Sequence, residues 1–123
     1  MVTAVQPLVY LALGGIPALV WGFALRVVFC WHITWAVNSV SHIWGRQMFK
    51  TGDLSMNNPL VGILAMGEGW HNNHHAFEDS CRHGLKWWQI DGTWYFILLL
   101  EKLGLARKLR YPNAERMKRL AWN

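Results

Sequence analysis

Two uncharged stretches dominate the first third of the chain. Residues 2–25 hold no formal charge, with Thr3, Gln6 and Tyr10 as the notable polar groups. About 20 apolar helical residues cross a hydrocarbon core, so this stretch predicts a membrane span. Gly14, Gly15 and Pro17 interrupt it and predict a kink, or the end of one helix and the start of another. A secretory leader is disfavoured, because no basic residues follow Met1 and the apolar run is too long. Residues 27–44 form a second uncharged run of crossing length. Between the two lies Arg26, which can keep its stem in apolar surroundings and its head at an interface. A joint near 21–26 would make the two runs a hairpin.

Beyond residue 44 the pattern changes. Residues 45–59 read as a loop, with Thr51-Gly52-Asp53 and Asn57-Asn58-Pro59 as turn signals. Residues 60–77 predict a mostly apolar helix that carries a histidine cluster, and 78–84 a polar connection. Residues 85–105 predict an amphipathic helix whose Trp87, Trp88, Trp94, Tyr95 and Phe96 suit a membrane–water boundary. The remainder is basic, with a short helix after Pro112. The predicted fold is all-α: an integral membrane helical domain with a transmembrane hairpin over about 4–44. A helical cytosolic cap and basic tail occupy 45–123.

Charge sharpens this division. The chain has 123 residues, enough for one domain, and a formal net charge of +5. Before Gly45 the only formally charged side chain is Arg26. Basic segments stay on the cytoplasmic side of membranes, so the back half is expected to be cytoplasmic or stromal. A nucleic-acid partner is not expected, since an apolar front half does not suit it. Nine tryptophans, 53% apolar residues and a mean hydropathy of +0.11 also argue against water on all sides. Cys30 and Cys81 have no CxxC spacing, so they are expected as reduced thiols.

Histidine spacing brings in chemistry. His71, His74 and His75 form an HxxHH cluster. On a helix, positions i, i+3 and i+4 share a face, which would aim three imidazoles into one volume. Imidazole is a good ligand for iron and zinc. Asn38 and His42 stand four apart on the second apolar run. Polar groups there are either glue between helices or parts of a functional site. Their convergence with the cluster on one metal is the expectation adopted here. His32 is expected to pack or hydrogen-bond within the bundle, and His83, in a basic loop, to face the surface. Glu68 is a possible base for a zinc hydrolase. An all-histidine shell without a ligating carboxylate, at a bilayer surface, suits redox iron better.

Three segments carry a family resemblance. Val37-Asn38-Ser39-Val40-Ser41-His42-Ile43-Trp44-Gly45 resembles the VNSxxHxWG segment of delta-9-type acyl-CoA and acyl-lipid desaturases. The segment from Gly67 through His71-Asn72-Asn73-His74-His75 to Phe77 resembles that family's last histidine box. The run Arg82-His83-Gly84-Leu85-Lys86-Trp87-Trp88-Gln89-Ile90-Asp91 resembles its continuation in plant, algal and cyanobacterial members. The resemblance covers about residues 14–105.

It implies a helical membrane domain with a cytosolic cap and two ferrous ions held just outside the bilayer. His42, His71, His74 and His75 match metal ligands, and Asn38 matches a residue reaching an iron through water. Trp35 matches a position at the bend of the acyl tunnel. The implied reaction uses dioxygen and two electrons, from cytochrome b5 or ferredoxin, to put a cis double bond into an acyl-CoA or acyl-lipid. The implied setting is multi-pass, in the endoplasmic reticulum, a plastid or a bacterial membrane. The family's first two histidine boxes do not occur in this sequence. The chain is therefore expected to be a carboxy-terminal part, inactive alone. A non-catalytic membrane metal-binding remnant and a histidine-box lipid hydroxylase remain the alternatives.

Overall fold

The computed structural model describes residues 2–122, with side chains described from Val5 onward. Two compact units divide the chain, at residues 1–34 and 35–123. Among the described residues the regular structure is helical. Pairing outside helices is confined to isolated bridges such as Arg46 with Asn57 and Asn57 with Trp70.

In the first unit, helix α1 (Val2–Pro17) is broken by non-helical backbone at Gly14 and Gly15. Gly15 takes φ +63°, which a side chain would oppose. The chain reverses here. Gln6 Oε1 accepts from Arg26 Nη2 at 2.9 Å, and the Tyr10 and Phe23 rings stand 6.1 Å apart. A Cβ on Gly22 would come within 2.6 Å of the Tyr10 ring. These pairings join residues on either side of the break in antiparallel order. The reversal thus lies at the two glycines, and not near 21–26. That region is continuous helix, a π-helical stretch (Ala18–Ala24) running into α2 (Leu25–Ser39). Gly15 takes a positive φ, whereas residues 21–26, Gly22 among them, stay helical. Among the described residues, Val5–His42 is the one helical stretch long and apolar enough to cross a membrane. Leu8, Leu13, Ile16 and Trp21 are exposed along it, a surface that hydrocarbon favours over water.

The second unit begins with the last turn of α2 and a 3₁₀ turn, Val40–His42. An extended loop follows. Helix α3 (Pro59–Leu64) is started by Asn58, whose side chain accepts from Val61 N, with Pro59 in the first turn. The helix expected over 60–77 is instead two short ones. After α3 the chain folds sharply back, with Met66 at φ +54° and Gly67 at +116°. Gly67 N donates to Gly62 O at 2.7 Å, and a Cβ on Gly69 would stand 2.1 Å from Gly62 N. Only glycine permits that approach, and α4 (His71–Ala76) starts just beyond it.

The helix expected over 85–105 is likewise shorter, α5 (Gly92–Lys102). Asp91 sets its start by accepting from Trp94 N, while Gln89 Oε1 takes the Leu85 and Lys86 amides into a turn. Helix α6 (Ala114–Leu120), capped by Asn113, is the short helix expected after Pro112. The apolar core is small. Phe49 and Phe77 meet edge to face at 4.9 Å beside Ala76, and Met48, Leu85, Met117 and Leu120 pack around them. Trp70 is fully enclosed, with its Nε1 donating to Ile90 O at 2.7 Å.

Candidate metal centre

Helix α4 places its residues by the 100° step of an α-helix. His71 and His75 are about 40° apart around the axis, whereas His74 and His75 are about 100° apart. The first two rings therefore converge and the third diverges. His42, carried in by the 3₁₀ turn after α2, completes the converging set. His71 Nε2 lies 3.0 Å from His42 Nε2 and 3.1 Å from His75 Nε2. The ligand atoms of all three lie within 4.8 Å of one another. Two imidazole nitrogens bound about 2.1 Å from one ion and 90° apart would be about 3.0 Å from each other. The two short spacings are those of ligands on neighbouring positions of a metal.

Protonation favours the same use. Burial, and the neighbouring His75, His42 and His74, push His71 down to about 4. Its ring is neutral at pH 7, with a lone pair to donate. The donor set is entirely imidazole nitrogen, which suits iron as well as zinc.

His74 does not share that volume, contrary to the expectation of three cluster imidazoles aimed together. Its ring centroid is 6.1 Å from that of His71 but 4.6 Å from that of His83. His83 Nδ1 in turn stands 3.7 Å from Glu68 Oε2. Burial, then His83, lowers the pKa of His74, so it too favours the neutral form. The Nδ1 atoms of His71 and His74 are buried without a hydrogen-bond partner. His83 was expected to face the surface. It is instead largely enclosed, because Asp91 Oδ2 accepts the His83 and Gly84 amides and Asn73 Nδ2 donates to His83 O at 2.8 Å.

Two asparagines that sequence reasoning passed over build the site. Asn72 Oδ1 accepts from Met48 N and Phe49 N at 2.7 and 2.8 Å, and its Nδ2 donates to Phe49 O at 3.1 Å. Asn73 Oδ1 accepts from Asn57 Nδ2 at 2.7 Å, and its amide N donates to Asn57 Oδ1. Both asparagines are fully buried, so α4 is fastened to loop 43–58 through polar bonds. Asp53, in that loop, accepts from His75 Nδ1 at 2.7 Å. Partial burial would raise its pKa, but bonds from Ser55, Thr51 and His75 outweigh this and hold it far below the usual carboxylate range.

The other expected residues lie on helix surfaces. Asn38 is exposed one turn before His42, and Trp35 is exposed one turn earlier, its carbonyl accepting from Ser39 Oγ. His32, in the first unit, bonds the Val28 carbonyl of its own helix at 2.8 Å, in keeping with a hydrogen-bonding role.

Comparison with known proteins carries the same signal over nearly the whole chain. The family model described as fatty acid desaturase matches residues 1–111. A chloroplastic palmitoyl-monogalactosyldiacylglycerol delta-7 desaturase of Arabidopsis thaliana is 55% identical over 111 residues, covering 90% of this chain and 30% of the relative. An acyl-CoA C20 Delta5-desaturase of Anemone leveillei is 58% identical over 100 residues, 81% of this chain and 32% of the relative. An sn-1 stearoyl-lipid 9-desaturase of Synechocystis sp. is 49% identical over 105 residues, 85% of this chain and 33% of the relative. The chain thus spans about a third of the length of these curated relatives. Identity this high, over a match that includes all the converging histidines, decides the matter: this chain belongs to the fatty acid desaturase family.

Proposed function

We propose that this chain is the carboxy-terminal, metal-binding part of a membrane enzyme that introduces a cis double bond into an acyl chain. The observation supporting it most directly is the meeting of His42 with His71 and His75, from separate segments of a desaturase-family chain. Two ferrous ions, in the complete enzyme, would supply dioxygen activation with two electrons delivered by cytochrome b5 or ferredoxin.

The residues here bind and orient. His42, His71 and His75 would hold one ion through Nε2. His74, turned toward His83 and Glu68, would serve the second. Asn38, one turn before His42, would reach an ion through water. Trp35 lines the bend of an acyl tunnel, so the chain's share of catalysis is positioning. Residues 4–44 lie in the bilayer as a helical hairpin that turns at Gly14 and Gly15, its longer arm of crossing length, and the basic remainder forms a helical cap on the cytoplasmic or stromal side. The membrane is that of the endoplasmic reticulum, a plastid or a bacterium. The substrate is a long-chain acyl group carried on CoA or on a lipid, the two carriers named among the relatives.

Four histidines cannot complete the shells of two ions, so these 123 residues are inactive alone. The test is iron per chain and acyl composition, measured on the chain in lipid nanodiscs. One iron or fewer, abolished by His42→Ala, and no new double bonds are expected. Two tightly held irons, or desaturation by this chain alone, would overturn the partial-site reading. A hydroxy-acid product would move the assignment to a hydroxylase.

A further inference from the structure

We propose that Asp53 is a positioning residue for the metal centre. By accepting the Nδ1 proton of His75, it fixes the tautomer whose Nε2 lone pair faces His42 and His71. The inference rests on the metal reading above.

The geometry is that of a carboxylate–histidine pair, a device that orients metal-binding imidazoles and raises their basicity. His75 Nδ1 donates to Asp53 Oδ2 at 2.7 Å, while its Nε2 stands 3.1 Å from His71 Nε2. Neutral imidazole carries one proton, so holding it on Nδ1 leaves the lone pair on Nε2. The carboxylate is itself held. Asp53 Oδ1 accepts from Ser55 N at 2.8 Å and Thr51 Oγ1 at 2.9 Å, and its carbonyl accepts from Gln47 Nε2 at 2.8 Å. Asn72 Nδ2 reaches both Thr51 Oγ1 and Ser55 Oγ, at 3.3 and 3.4 Å. The loop bearing the carboxylate is therefore tied to the helix bearing the imidazole.

The three histidines of α4 differ in this respect. The remote nitrogens of His71 and His74 are buried without a partner, whereas that of His75 is anchored. His75 is also part-exposed, so without Asp53 water could stabilise either tautomer. Packing sets the other rings, and Asp53 sets this one.

The test uses Co²⁺ alone as the probe, on the whole chain in lipid nanodiscs, read by its visible absorption. Histidine ¹⁵N chemical shifts of the metal-free protein report the His75 tautomer separately. Asp53→Ala should weaken Co²⁺ binding about 10–100-fold and move His75 toward the Nε2–H form. Asp53→Asn keeps an oxygen for the loop turn but sets an NH2 donor against His75 Nδ1, so it should fold as the parent, move His75 toward the Nε2–H form and weaken Co²⁺ binding as alanine does. If the parent binds Co²⁺ and His71→Ala abolishes binding, but both Asp53 variants bind within twofold and keep the parent tautomer, the proposal is refuted while the metal centre stands. If the parent binds no Co²⁺, or binds it without needing His71, the metal reading fails and takes this one with it.

Discussion

Replacing Asn72 by alanine should destabilise the second unit more than any exposed polar substitution. The side chain is fully buried and serves two amides and a carbonyl of loop 43–58. Alanine removes all three partners at once. Leaving a buried polar group unsatisfied costs about 1–3 kcal/mol. Phe49 is buried, so its amide should lose about 2 kcal/mol, and half-buried Met48 about 1. The longer bond to Phe49 O adds roughly 1 more, for a total of about 4 kcal/mol. An ordinary domain has about 5–15 kcal/mol in all, and a loss of that size is a large share of it, so it should be plain. Asn113→Ala provides the comparison, because it removes an exposed helix cap worth about 1 kcal/mol. Near-UV circular dichroism of the tryptophans during denaturant unfolding, in one detergent, measures both. Should Asn72→Ala cost no more than Asn113→Ala, the claim that this asparagine fastens α4 to the loop is wrong.

Three other expectations follow from the geometry. Gly67→Ala should cost more than about 3 kcal/mol, since its φ is +116° and its Cβ would lie 2.3 Å from Asp91 Oδ1. Gly52→Ala, at φ +79° but in open space, should cost only about 1, and thermal melts of the two variants check the contrast. The metal-free chain should lose stability as pH falls from about 6.5 toward 4. His71 titrates near 4 when folded and near 6.5 when unfolded, so the unfolded chain takes up its proton first. The loss is at most roughly 3 kcal/mol, and equal melting temperatures at pH 7.5 and 5.0 would contradict it. Asp53, with its depressed pKa, acts in the same sense at still lower pH. Finally, His42→Ala should abolish Co²⁺ binding at the three-imidazole site and His74→Ala should spare it, because His74 faces His83.

Much of this was legible from spacing. The helical content, the break at Gly14 and Gly15 and the short helix after Pro112 follow from local patterns, and the meeting of His42 with the cluster from the number of histidines and the family resemblance. What escaped were the tertiary bonds. Residues 60–77 read as one helix because their apolar pattern is continuous, and the fold-back rests on backbone contact between Gly62 and Gly69. His83 reads as surface because a basic loop normally is. Asn73 and Asp91, 10 residues before it and 8 after, draw it inward. Asp53 stands in a turn signal, Thr-Gly-Asp, and nothing local marks it as the partner of His75, 22 residues away.

Helix α4 explains why the two residues inside the HxxHH cluster are asparagine. It has six residues, and the first five divide among four tasks. His71 and His75 face His42, His74 faces His83, and the sector between is left to Asn72 and Asn73. An apolar residue at 72 would bury the amides of Met48 and Phe49 with nothing to bond them, and one at 73 would strand the side-chain amide of Asn57. Among the described residues ten buried side chains are polar and eight apolar, so order depends heavily on such bonds. The hydrogen bonds that secure α4 to its loop also bring Asp53 to His75 and the loop's start to His42. A metal bound by three imidazoles from both segments would then add its binding energy to the same junction. Stability and metal affinity should therefore fall together in Asn72→Ala, whereas in Asp53→Asn affinity should fall further than stability.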